Sequence, residues 1–77
     1  MERALYRSGV VAIPKGGGEK RSASIEVAAS GYSEFVELVN DWLEDQAMEA
    51  CDHGSMIRLR KARRQEPSGV LSANWAE

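Results

Sequence analysis

Strict alternation of apolar and polar positions marks the segment from Ser22 to Ala29. Alternation with a period of two residues is typical of a strand that has one buried face. We therefore predict a strand here, and we expect its odd-numbered residues to face the core: Ala23, Ile25, Val27 and Ala29.

The segment Ala4–Ile13 is rich in β-branched and aromatic residues and predicts a strand before this one. Gly9 interrupts it and is a candidate position for a bulge, which would resolve a register that otherwise leaves Arg7 on the apolar side. Residues 14–21 contain a proline and three successive glycines, so we expect a flexible loop between the two strands.

Helical spacing follows Ser33 and predicts one amphipathic helix from about Glu34 to about Asp52. Ser33 offers a side-chain N-cap, and Gly54 is suited to the left-handed residue that ends a helix. The apolar positions recur every three or four residues and define the face expected to cover the sheet: Val36, Val39, Leu43, Ala47 and Ala50, widened by Phe35, Trp42 and Cys51.

The remaining residues predict two further strands. Residues 55–64 form the first, with Ile57 and Leu59 facing inward, and residues 66–69 have the composition of a tight turn. Residues 70–75 form the second, although a partly ordered tail over 65–77 is the alternative for a chain end.

These elements predict a single α+β domain over residues 1–77, with the order β-β-α-β-β. Short connections favour two antiparallel hairpins, and one amphipathic helix can cover only one face of the sheet. The other face must meet solvent or a partner.

Composition narrows the class of protein. The chain has 77 residues, 43% of them hydrophobic and 29% charged, as is ordinary for one small globular domain. It has no apolar run near the roughly 20 residues that span a bilayer, and no secretory leader is expected at its N-terminus. Because Cys51 is the single cysteine, a reducing cytoplasm is the expected setting.

Charge is unevenly distributed along the chain. Seven acidic residues and no basic one lie between residues 34 and 52, while the rest of the chain carries all 10 basic residues. Like charges at helical spacing repel, so a partner-binding role and a solvated face offset by nearby arginines are both open. The residues assigned to this predicted acidic stripe are Glu34, Glu37, Asp41, Glu44, Asp45 and Asp52.

A basic cluster follows the predicted helix. Five cations within seven residues are typical of phosphate contact, although a row of arginines on an edge strand can serve solubility alone. The cluster is the alternative, nucleic-acid-binding site, and it comprises Arg58, Arg60, Lys61, Arg63 and Arg64.

The chain shows no catalytic signature. One cysteine and one histidine are too few for a zinc site, so we expect Cys51 to be a small buried hydrophobe and His53 to end the helix. The glycine triplet lacks the spacing of a phosphate-binding loop. We expect no metal and no cofactor, and an enzyme is the least expected class. Trp75 is the candidate aromatic anchor for a partner.

The favoured hypothesis is a small protein-binding module, an inhibitor or adaptor. Its carboxylates would occupy a basic groove on a larger protein or ribonucleoprotein that handles nucleic acid, as a phage inhibitor of the anti-CRISPR type would do. The sequence shows no family motif, so this hypothesis rests on size, fold and charge. The alternatives are direct nucleic-acid binding and a homo-oligomer, such as a homodimer, formed through the open face of the sheet.

Overall fold

A computed structural model describes residues 2–76 and shows one antiparallel sheet with one helix packed on it. The elements are β1 (Ala4–Pro14), β2 (Arg21–Ala29), α1 (Tyr32–Glu44), β3 (Met48–Asp52), β4 (Ile57–Lys61) and β5 (Gly69–Trp75). The predicted small α+β fold and the order β-β-α-β-β are confirmed, with one additional strand after the helix. One strand, β3, was not predicted.

Strands β1 and β2 form the centre of the sheet as a long hairpin. Their register runs unbroken from the pair Ala4 and Ala29 to the pair Ala12 and Arg21. The predicted bulge at Gly9 is therefore wrong for this pair. The irregularities of β1 lie on its other side, where it passes from one edge partner to the next.

Both edges of this hairpin are occupied by further strands. β3 pairs with the second half of β1 and β4 pairs with its first half, both antiparallel, so together they form one interrupted edge. β5 pairs with β2 on the opposite edge. The predicted hairpin between the last two strands is wrong, because residues 62–68 cross past the ends of β1 and β2 to reach that edge.

The core lies between α1 and the facing side of the sheet. Alternation in β2 placed its apolar side chains correctly, and even-numbered residues of β1 join them. The buried cluster comprises Val10, Ala12, Ala23, Ile25, Val27, Ala29, Phe35, Val39, Leu43 and Met48. Arg7 lies on the opposite face, where its guanidinium pairs with Glu26 at 3.1 Å.

Helix α1 begins at Tyr32, with Gly31 as its N-cap residue and no side-chain cap. The predicted N-cap role of Ser33 is therefore wrong. The carboxylate of Glu34 instead reaches back and accepts a hydrogen bond from the Ser30 N–H at 2.9 Å. An acid in the first turn also interacts favourably with the positive end of the helix dipole.

The helix ends at Glu44, well before the predicted end near Asp52. The chain turns through residues 45–47, and Ala47 adopts a left-handed conformation with φ 55°. Residues 48–52 then form β3, because the second half of β1 needs an edge partner for its backbone groups and the pairing buries Met48. On this edge strand Cys51 is exposed, contrary to the expectation of a buried thiol.

Strand β4 is shorter than predicted, and its apolar side chains face outward. Ile57 is 61% exposed and Leu59 is 37% exposed, so the predicted inward orientation of both is wrong. The reason is position, since α1 packs over β2, β3 and β5 while β4 lies at the margin of the sheet. The predicted last strand is confirmed as β5; Glu77 lies outside the described residues.

Candidate protein-binding surface

Five acidic side chains share the outward side of α1 and its C-terminal turn. Helical spacing places them opposite the buried residues Phe35, Val39 and Leu43. We call this surface the acidic helix face; it comprises Glu34, Glu37, Asp41, Glu44 and Asp45. No basic residue lies between residues 32 and 45, so the face is of a single sign.

Intramolecular partners neutralise only part of the acidic helix face. Glu44 forms an ion pair with Lys15 of the glycine-rich loop, and Glu34 is used by the backbone of Ser30. Within residues 2–76, none of the ion pairs involves Glu37, Asp41 or Asp45. These three exposed carboxylates therefore remain available to a partner.

The structure divides the predicted acidic stripe. Asp52 lies in β3, where its carboxylate accepts a hydrogen bond from the Gly54 N–H at 3.0 Å and closes a local turn. Glu49 lies on the same strand. The expectation of seven acids on one helix is therefore wrong, because the chain leaves the helix after Glu44, and five acids remain together.

The predicted basic cluster is also divided. Arg60 donates two hydrogen bonds to the Glu66 carboxylate, at 2.8 and 2.7 Å, and Lys61 pairs with Glu2 at 3.3 Å. Arg58 lies opposite Tyr6 in the ladder with β1. Two further cations of the cluster, Arg63 and Arg64, lie on the exposed crossover that follows β4.

Glu66 is the centre of a network that fixes the crossover, and no pattern in the sequence predicts this network. Its carboxylate also accepts from the Arg63 N–H at 2.7 Å, and the Arg3 guanidinium donates to its backbone carbonyl. The hydrogen bonds from Arg60 and Arg63 lower the pKa of Glu66 to about 2. The same carboxylate raises the pKa of Arg60.

This network predicts a loss of stability in acid. Because the pKa of Glu66 is about 2 in the folded chain and 4.5 ordinarily, its contribution is complete above the ordinary value and disappears as pH falls towards 2. Glu66→Gln is expected to lower the free energy of unfolding at pH 7 and to converge on the wild type near pH 2. Urea unfolding at several pH values measures the loss of stability at pH 7 and the convergence near pH 2. Glu26→Gln is the control and should lower the free energy of unfolding by a smaller amount. A constant difference across this pH range would contradict the assignment.

A cleft of about 370 Å³ lies between α1 and β3, and its lining includes Asn40, Glu44 and His53. The prediction that His53 ends the helix is wrong, because the helix ends at Glu44. The His53 Nε2 lies 2.9 Å from Asn40 Oδ1 and joins the start of the β3–β4 connection to α1. Within the described part of the chain, no group of three or more His, Cys, Asp or Glu side chains is placed to hold a metal ion.

Trp75, the predicted aromatic anchor, is half-buried at the end of β5. Its ring stacks on Trp42 of α1 with centroids 5.6 Å apart, and the Arg21 guanidinium lies 4.9 Å from its centroid. These contacts give the ring a packing role between the helix and the sheet. Its role towards a partner stays a prediction.

Comparisons with known proteins return no match. No protein-family model matches the chain, and neither curated proteins nor solved structures give a significant similarity. Among residues 2–76, no helix has both the length and the apolar character needed to span a bilayer.

Proposed function

We propose that the chain is a small protein-binding module whose acidic helix face docks on a basic surface of a larger partner. The observation that carries this proposal is the set of three exposed carboxylates, Glu37, Asp41 and Asp45, that have no ion-pair partner within residues 2–76. Opposed charge would speed the encounter and fix the orientation of the two proteins.

The arrangement of these acids supports a role beyond folding. Asp41 has an acidic residue four positions before it and two more at three and four positions after it. Each such pair of like charges destabilises a helix by about 0.2–0.5 kcal/mol. Lysine at any of these positions would relieve the repulsion, so a face without lysine favours an electrostatic function.

A groove that normally binds nucleic acid is the kind of basic surface that this face fits. By occupying it, the chain would act as an inhibitor, in the manner of a phage protein directed against a nucleic-acid-handling defence complex. The proposal places the chain in the cytoplasm, where an exposed free thiol such as Cys51 stays reduced.

Affinity capture from a lysate of the source cell, with and without nuclease, tests the proposal. Two charge-matched variants accompany the wild type. The face-neutral variant carries Glu37→Gln and Asp41→Asn, and the off-face control carries Glu19→Gln and Glu49→Gln. Each pair of changes removes two negative charges, so a general effect of net charge would appear equally in both.

We expect the wild-type chain to capture a partner protein both with and without nuclease. The off-face control should capture the same protein, and the face-neutral variant should not. Capture that is lost after nuclease treatment would instead favour nucleic-acid binding by the basic cluster. Direct nucleic-acid binding is the weaker candidate, because Arg60 and Lys61 already pair with carboxylates of this chain.

A further inference from the structure

Strand β5 is an edge strand with little of the usual protection: its register with β2 shifts once, at Leu71, and residues 72–75 pair regularly beyond that irregularity. It contains no charged residue and no proline, and it lies at the end of the strand order. Natural sheets block such edges with charges, prolines or breaks, because the unpaired backbone groups otherwise recruit another strand. The opposite edge is blocked in this way: it is interrupted between β3 and β4 and carries Glu49, Asp52, Arg58, Arg60 and Lys61.

The free backbone groups of β5 can be assigned from its pairing with β2. The Ala76 N–H donates to the Ser22 carbonyl at 2.8 Å, and Asn74 lies opposite Ser24 in the same register. In an antiparallel ladder, alternate residues bond to the same neighbour. Ala73 and Trp75 therefore direct their N–H and C=O groups away from β2, where no strand of residues 2–76 meets them.

We propose that two copies of the chain associate through antiparallel pairing of their β5 strands, centred on Ala73, to form a continuous ten-stranded sheet. A strand that pairs with its own copy in this way closes by a two-fold axis, which ends the assembly at a dimer. Because β5 is uncharged, the pairing places no like charges opposite each other. The same pairing through β4 would set Arg58, Arg60 and Lys61 against each other.

The geometry of this dimer has two consequences. The two-fold axis is perpendicular to the sheet, so both helices lie on the same side and both acidic helix faces point the same way. The interface is one pair of short strands and falls below the area of stable complexes, so the association is weak. The dimer itself does not depend on the proposed function of the acidic helix face.

Sedimentation equilibrium across a concentration series tests the proposal. The wild-type chain is expected to shift from monomer to dimer between about 10 µM and about 1 mM, the range that suits a small interface. Hydrogen exchange at the Ala73 and Trp75 amides should slow at the high end of this range. Ala73→Pro removes an outward donor while leaving the ladder with β2 intact, and it should hold the chain monomeric.

Two lysine variants keep the test decisive if the proline disturbs the fold. Ala73→Lys retains every backbone donor and places a charge on the β5 edge, so it should also hold the chain monomeric. Ile57→Lys adds the same charge on the opposite edge and should dimerise like the wild type. A wild-type chain that stays monomeric throughout, or a dimer that survives both Ala73 variants, would overturn the proposal.

Discussion

Phe35→Ala is expected to lower the free energy of unfolding by about 3–5 kcal/mol, the usual result of emptying the site of a buried phenylalanine. Phe35 is fully buried and is the largest such side chain in the core, where α1 meets the sheet. Small domains have a total stability near the lower end of roughly 5–15 kcal/mol, so this variant should be largely unfolded at 37 °C.

The neighbouring aromatic residue gives a matched control for this prediction. Tyr32 lies one turn earlier on α1, stacks on Phe35 at 6.1 Å between centroids and is 57% exposed. Tyr32→Ala should cost about 1 kcal/mol, mostly through the lost ring contact. Urea unfolding followed by circular dichroism measures both variants. Equal losses would contradict the described packing of the helix.

Gly54→Ala is expected to lower the free energy of unfolding by about 2–4 kcal/mol, from a left-handed backbone and an atomic overlap together. Gly54 has φ +65°, and a Cβ atom there would lie 2.4 Å from the Gly9 carbonyl oxygen. This close approach belongs to the interruption between β3 and β4, which the Ser8 hydroxyl also secures by donating to the His53 carbonyl at 2.7 Å.

Gly16→Ala is the control for this substitution. Gly16 lies in the loop between β1 and β2, and a Cβ atom there would have no atom within 4 Å. Its replacement should leave stability unchanged or raise it by up to about 1 kcal/mol by restricting the unfolded chain. The same urea titration compares the two. A Gly54→Ala variant as stable as Gly16→Ala would show that the two edge strands do not meet β1 as described.

The sequence predicted the elements whose pattern is local. Alternation identified β2 and its buried side, and helical spacing identified the first three turns of α1 with Phe35, Val39 and Leu43 inward. The outward position of the acids up to Asp45 followed from the same period. For these elements, the residues that determine which side is buried are close neighbours in sequence, so the local pattern is enough to predict them.

The end of α1 depended on a partner far away in sequence. No glycine or proline interrupts residues 45–52, and the acids there continue the helical spacing, so the local pattern favoured a longer helix. In the structure, residues 48–52 instead pair with the free edge of β1 and form β3. The outward orientation of Ile57 and the pairing of Arg60 with Glu66 were missed for the same reason, since both depend on which strands are neighbours.

Isothermal titration of the captured partner with the face-neutral variant and the off-face control tests the acidic helix face most directly. We expect Glu37→Gln with Asp41→Asn to raise the dissociation constant by about tenfold or more, which corresponds to about 1.4 kcal/mol of binding free energy. The off-face control should bind within about twofold of the wild type, since its charges lie elsewhere. Equal affinity of the two variants for the partner would show that the acidic helix face is not the binding surface.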